Sequence, residues 1–208
     1  MRLHQVILAS LLPAASLASS SDAAIIAFSQ QALWDQFTSS NGATRAVESF
    51  DSYVGAAAPS LSGTAAGVQW LAAAAGGVRV GTAAGSPVLS TADSAPLGLT
   101  FSGTGVRGIG ANVFGTDSGF GIVPLVVRVT LSDGTSIVRT MSSAASFLGV
   151  WSTGPDITSI LFVPESSASP GALAFATVDN LTFAVIPAPA SGIASAAAVA
   201  LASRRRRR

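Results

Sequence analysis

Residues 123–132 read VPLVVRVTLS, and this stretch decides the class of fold. Four apolar side chains at every second position share one face of it: Leu125, Val127, Val129 and Leu131. Alternation with a period of two is typical of a β-strand that buries one face. The dipeptide Asp133-Gly134 is a hairpin-turn signal, and SIVRT follows it as a returning strand. The stretch therefore predicts an antiparallel hairpin on a hydrophobic core.

Short segments of the same kind run through most of the chain, separated by Gly, Ser, Pro and Asp. They are TRAVESF at 44–50, GVQWL at 67–71, GVRV at 77–80, LGLTF at 97–101, VRGIGANVF at 106–114, FLGVW at 147–151, ITSILFV at 157–163 and LAFATVDNLTF at 173–183. Many short strands with little helix indicate an all-β, antiparallel β-sandwich. We expect a jelly-roll-like arrangement in which the first and last long strands are neighbours. Residues 55–66 and 164–171 are predicted to be loops.

One short helix is predicted near the start of this domain, which is expected to span residues 23–184. A strand over 23–28 is followed by Ser29, which is placed to cap a helix over 30–38. Leu33, Trp34 and Phe37 would lie on one side of that helix.

The charge of the chain is unevenly distributed. Its formal net charge is +1, all 11 basic residues are arginine, and five of them stand at 204–208. Between residues 23 and 186 there are five arginines and nine Asp or Glu residues, so the formal charge of this part is −4. A mildly acidic domain argues against a nucleic-acid partner.

The residue types also exclude several chemistries. The chain has no cysteine and no lysine, and its one histidine is His4. Without these residues a domain over 23–184 has no Ser-His-Asp or Cys-His catalysis, no Schiff base and no thiolate or imidazole zinc site. A secreted glycosidase would need two carboxylates across a cleft, and nothing beyond the number of carboxylates supports one. We therefore predict that the protein is not an enzyme.

The first 22 residues have the pattern of a secretory signal peptide. Arg2 supplies a positive start, residues 6–12 match the short apolar h-region of such peptides, and small residues follow from Ala14. Cleavage after Ala18 or Ala23 fits this pattern equally well. The alternative is a buried N-terminal helix.

Residues 185–208 read VIPAPASGIASAAAVALASRRRRR and allow three readings. A basic run is often a nucleic-acid or nuclear-targeting patch, but an export signal argues against this. A membrane-surface helix would intersperse its arginines among apolar residues. The third reading is an apolar helix held in the membrane by positive charge on the cytoplasmic side. Residues 190–203 give only 14 residues against the roughly 20 of a full span, so such anchoring would be transient.

This tail resembles the PEP-CTERM sorting signal of Gram-negative bacteria. The resemblance rests on Pro187, Ala188 and Pro189, the apolar run, and a closing arginine cluster. That cluster is Arg204, Arg205, Arg206, Arg207 and Arg208. The family triplet is Pro-Glu-Pro, and Ala188 stands in place of the glutamate. The resemblance implies export, transit through the inner membrane, processing by an exosortase-type enzyme, and a final place at the cell surface or in the extracellular matrix.

The domain carries a second, weaker resemblance. VESFDSY, GVQW, VRGIGANVF and ATVDNLTF are similar to β-sandwich ectodomains often found ahead of PEP-CTERM tails, which look distantly like carbohydrate-binding modules. We therefore expect an exported, non-enzymatic surface or matrix protein. The alternative is a polysaccharide-binding, lectin-like module with the same address. Exposed aromatic residues would serve such a site, whereas aromatic residues of sandwiches commonly lie in the core. The candidates are Trp34, Trp70, Trp151 and Tyr53.

One set of carboxylates is a candidate calcium site. Glu48 and Asp51 close an early strand, and Asp179 lies in the last strand, so pairing of these strands would bring the three together. Asp179 shares strand parity with apolar residues, and a carboxylate on an apolar face needs a partner. Two alternatives are a bulge that turns Asp179 to solvent and a pairing with an arginine such as Arg45.

Overall fold

A computed structural model describes residues 24–103, 105–167 and 173–187. The predicted signal helix and the predicted C-terminal apolar helix lie outside these residues. The strands are β1 (Ile25–Phe28), β2 (Thr44–Glu48), β3 (Ala57–Ala65), β4 (Val68–Ala83), β5 (Ser86–Thr91), β6 (Leu97–Ser102), β7 (Val106–Thr116), β8 (Ile122–Val123), β9 (Leu125–Leu131), β10 (Ser136–Met141), β11 (Phe147–Ser152), β12 (Ser159–Ser167) and β13 (Phe175–Val185). One α-helix, α1 (Gln31–Ser40), and a 3-10 turn, Asp51–Tyr53, complete the described elements.

The predicted hairpin is formed by β9 and β10. Its strands pair antiparallel from Ser136 opposite Thr130 to Met141 opposite Leu125. The four alternating residues of β9 are all buried. In the turn, the Thr135 amide donates to Asp133 Oδ1 at 2.9 Å, and Gly134 has a φ of 85°, which glycine adopts without strain. The alternation and the turn chemistry therefore fix this hairpin as expected.

The strands form one antiparallel sheet that curls into a half-barrel. Its order is β1-β11-β7-β13-β5-β4-β6-β12-β9-β10, with β2 on β13, β3 on β4 and β8 on β7. The inner face of the curl holds the main hydrophobic core, to which nearly every long strand contributes. The predicted all-β, antiparallel class is confirmed. The expected pairing of an early strand with the last one is also confirmed, because β2 pairs with β13 along residues 44–48 and 181–185.

Several element predictions are wrong in detail. β3 occupies most of the predicted loop 55–66, β5 was not predicted, and β12 continues to Ser167 in the predicted loop 164–171. The segments GVQWL and GVRV belong to one strand, β4, which runs through an alanine–glycine stretch. Alanine and glycine have low strand propensity, so the pairing of β4 with β3, β5 and β6 specifies this strand rather than its sequence.

The helix lies on the outer face of the sheet, where it covers β7 and β11. Trp34 is buried and its Nε1 donates to the Val150 carbonyl at 3.2 Å. A Cβ at Gly149 would overlap the Trp34 ring, so this glycine lets the helix approach the sheet. Two helix predictions are wrong: the cap residue is Gln30, without a side-chain hydrogen bond, and Leu33 is exposed.

A cluster around Arg79 covers the start of β13 on the outer face of the sheet. The Arg79 guanidinium stands 4.4 Å from the ring centroid of Phe120 and 5.3 Å from that of Phe175. It also donates to the carbonyls of Ser118 at 2.7 Å and Asp117 at 3.0 Å. These contacts hold the loop before β8 against the outer face.

Within the parts of the chain that the structure describes, no helix has the length and apolar character needed to cross a membrane.

Candidate functional site

Asp179 lies where β13 changes its neighbour from β5 to β2. A bulge follows it, because Asp179 is opposite Asn112 whereas Thr182 is opposite Gly110. Asn180 takes up the extra residue with a φ of 51°. The bulge shifts the strand parity, so that Val178 and Leu181 both face the inner core. Asp179 therefore points to the outer face of the sheet, and not to the face of Leu181 and Phe183 as predicted.

Although it points outward, Asp179 is only 6% exposed, so the bulge of the predicted alternative is present but does not turn this side chain to solvent. Its Oδ1 atom is buried and has no hydrogen-bond partner among the described residues. Burial raises the pKa of Asp179 above its ordinary value of 3.8, and the nearby charge of Asp51 raises it further. Hydrogen bonds from the Ser86 hydroxyl and the Asn180 amide act in the opposite direction on this pKa but do not outweigh burial.

The predicted calcium set of Glu48, Asp51 and Asp179 is not assembled. In the described residues, no three Asp, Glu, His or Cys side chains are grouped closely enough to hold a metal ion. Both Glu48 oxygens are already used. Oε1 accepts from the Phe50 amide at 2.9 Å, and Oε2 accepts from Trp70 Nε1 at 3.1 Å. Of the predicted set, only the charge of Asp51 acts on the pKa of Asp179, which it raises.

The predicted alternative of an arginine partner for Asp179 is also wrong for Arg45. Arg45 forms an ion pair with Asp35 of α1 instead.

Next to Asp179, the outer face carries a buried hydroxyl network. Thr177 Oγ1 lies 2.8 Å from both Thr116 Oγ1 and Ser90 Oγ. These hydroxyls satisfy one another, which leaves none of them pointed to solvent as a reactive group.

A polar groove lies in the other half of the sheet, on the outer face of β3, β4 and β6. It has a volume of about 480 Å³. Its lining residues are uncharged: Ser62, Gly63, Thr64, Gln69, Trp70, Leu71, Thr100, Phe101 and Ser102. The register places Thr64, Gln69 and Ser102 in one row across the three strands, and Ser102 Oγ donates to Gln69 Oε1 at 3.2 Å. Hydroxyl, amide and apolar groups of this kind suit a neutral, hydroxyl-rich ligand.

The sequence did not indicate this groove. Its polar residues lie on three strands, of which β3 falls in a predicted loop, and the pairing of β4 with both β3 and β6 brings them together. The aromatic residues that were candidates for sugar binding are mostly buried. Trp34, Trp70 and Trp151 are all buried, and Tyr53 is half-buried against Trp70, so the reading of the tryptophans as core is confirmed.

The predicted sorting residues fall at and beyond the end of the described chain. Pro187 is exposed, two residues after β13 ends at Val185. Ala188, Pro189 and Arg204 to Arg208 lie outside the described residues. Comparison with protein-family models, with curated proteins and with solved structures finds no match to this chain.

Proposed function

We propose that this protein is an exported, non-enzymatic β-sheet module of the cell surface or extracellular matrix, processed at a PEP-CTERM-like tail. The observation that supports this most directly is that the last described strand ends at Val185, two residues before the first proline of the triplet at 187–189. This strand, which lies inside the sheet, is complete before the triplet begins. A cut at the triplet would therefore leave every described strand intact.

The expected partners are the export machinery and an exosortase-type enzyme. In this proposal the N-terminal segment directs export, and the apolar run at 190–203 enters the inner membrane. The arginines at 204–208 stay on the cytoplasmic side because of their charge. The weak span holds the domain only until the processing enzyme releases it.

We also propose that the curled sheet is a jelly-roll-like sandwich. The support is that β10 and β12 contact β7 and β13 across the inner face, so two halves of the sheet share one core. A core of this kind needs no disulfide, in agreement with the absence of cysteine from the sequence.

The proposal is tested by changing the arginine cluster. Replacement of Arg204 to Arg208 by serine should abolish transient retention and processing, because no positive charge remains to stop the apolar run. The control is Arg139→Ser, which removes a charge from an exposed residue of β10. Processing is measured by mass spectrometry, which distinguishes the form that keeps the tail from the form that cells release. Equal processing of the serine variant would contradict the sorting role.

The second candidate function is polysaccharide binding, and the uncharged groove on β3, β4 and β6 favours it. Gln69 lies at the centre of its polar row. Gln69→Ala should weaken the retardation of the full chain in gels that contain a neutral polysaccharide. Gln36→Ala changes the same side chain on the exposed face of α1 and should have no effect. Unretarded migration of the unsubstituted chain in every neutral polysaccharide tested would reject this function.

A further inference from the structure

We propose that Asp179 and Asp51 bind one hard divalent cation, such as calcium, on the outer face of the sheet where β13 changes its neighbour. The central observation is the buried Oδ1 atom of Asp179, which has no partner among the described residues. Buried oxygens of carboxylates are nearly always paired, because an unpaired one loses its hydration without replacement. A ligand that the protein does not itself contain would complete this site.

No described side chain of the protein neutralises this pair of carboxylates. The domain has no lysine and no histidine, so arginine is the only cationic side chain available. All five arginines between residues 24 and 187 are engaged elsewhere. Arg45 pairs with Asp35, Arg128 pairs with Glu165, and Arg79, Arg107 and Arg139 donate to backbone carbonyls.

The surroundings of Asp179 suit an oxygen-binding ion. Asn112 is directly opposite Asp179 in the antiparallel register, so the two side chains are neighbours on the same face. The Ser86 hydroxyl lies close enough to lower the pKa of the Asp179 carboxyl, and it offers a second neutral oxygen. Two carboxylates, an amide oxygen and a hydroxyl are the ligand types that calcium takes, and two negative charges match its charge.

The same surroundings argue for a cation rather than a proton. A proton on Asp179 would cancel its charge but would leave Oδ1 without any contact, whereas a cation would occupy that position. Asp51 is exposed, which gives the ion a route from solvent. The site therefore combines an enclosed ligand, Asp179, with an accessible one, Asp51.

The test measures thermal unfolding of the full chain in calcium chloride and in EDTA at matched ionic strength. The melting temperature should rise with calcium concentration, because the ion binds the folded state. Calorimetric titration with calcium should give a stoichiometry of one. Asp179→Asn should lose the calcium-dependent rise, and Asp51→Asn should reduce it.

The matched control is Asp133→Asn, which removes one negative charge from the exposed β9–β10 turn and should keep the full rise. Three results would each overturn the proposal. They are equal melting temperatures of the unsubstituted chain in calcium and in EDTA, an undiminished rise in Asp179→Asn, and an equal loss of the rise in Asp133→Asn. If Asp179→Asn fails to fold, the calorimetric titration and the Asp51→Asn comparison decide the question.

Discussion

Replacement of Asp179 by asparagine should stabilise the protein when no divalent cation is present. The substitution keeps the size of the side chain and removes a charge that is 6% exposed, lacks a partner at Oδ1 and lies near Asp51. An unpaired buried polar group costs about 1–3 kcal/mol, and a charged one costs more. Because the asparagine amide keeps part of this cost, the expected gain at pH 7 in EDTA is about 1–2 kcal/mol.

The gain should depend on pH with a definite sign. Asp179 has a folded pKa raised above 3.8, so the folded state binds the proton more tightly than the unfolded chain does. The cost of this group is therefore absent below about pH 4, grows as the pH rises through the folded pKa, and is constant above it. The advantage of Asp179→Asn should follow the same course.

The assay is urea or thermal unfolding in EDTA at a series of pH values between 3 and 8. For a domain of this size, 1 kcal/mol corresponds to about 2–4 °C in melting temperature, so the expected rise at pH 7 is about 2–8 °C. In saturating calcium the order of the two proteins should reverse. A variant that is less stable than the unsubstituted chain at pH 7 in EDTA would refute the reasoning, because it would mean that the charge is already compensated.

Other substitutions test the core and its polar contacts. Trp34→Ala should lower the free energy of unfolding by about 3–5 kcal/mol, since it removes the large side chain that joins α1 to the sheet; a loss below about 1 kcal/mol in urea would show that the helix is not a structural cover. Thr177→Val should cost about 1–2 kcal/mol in the same assay, because Thr116 loses a buried partner. Glu48→Gln should cost about 1–2 kcal/mol, because its amide replaces an acceptor, and it should leave the calcium response unchanged; loss of that response would return Glu48 to the metal site.

The sequence predicts the fold best where the local pattern and the buried face agree. In β9 the alternation of valine and leucine matches the inner face, and the Asp-Gly turn sets the return of β10. The strands β7 and β11 are also recognised, although Gly110 of β7 and Gly149 of β11 leave room for Trp34 and do not form turns. In these segments the side chains themselves specify the strand.

The sequence predicts least where pairing specifies the structure. Alanine and serine residues of β3 and β4 have no strong preference for a strand, so both the strands and the groove between them depend on partners far along the chain. The prediction of the face to which Asp179 points is wrong for a different reason. Its burial follows from its apolar neighbours, but its face depends on the single extra residue, Asn180, which parity along the strand does not reveal.

The most direct test of the central claim is the intact mass of the protein released from the cell surface. A Gram-negative host with an exosortase should express the full 208-residue chain, and the released form should be analysed by mass spectrometry. The account predicts a chain that lacks both the N-terminal segment of about 22 residues and the arginines at 204–208, cut near the triplet at 187–189. A released protein that still carries Arg204 to Arg208 would contradict the proposed sorting role.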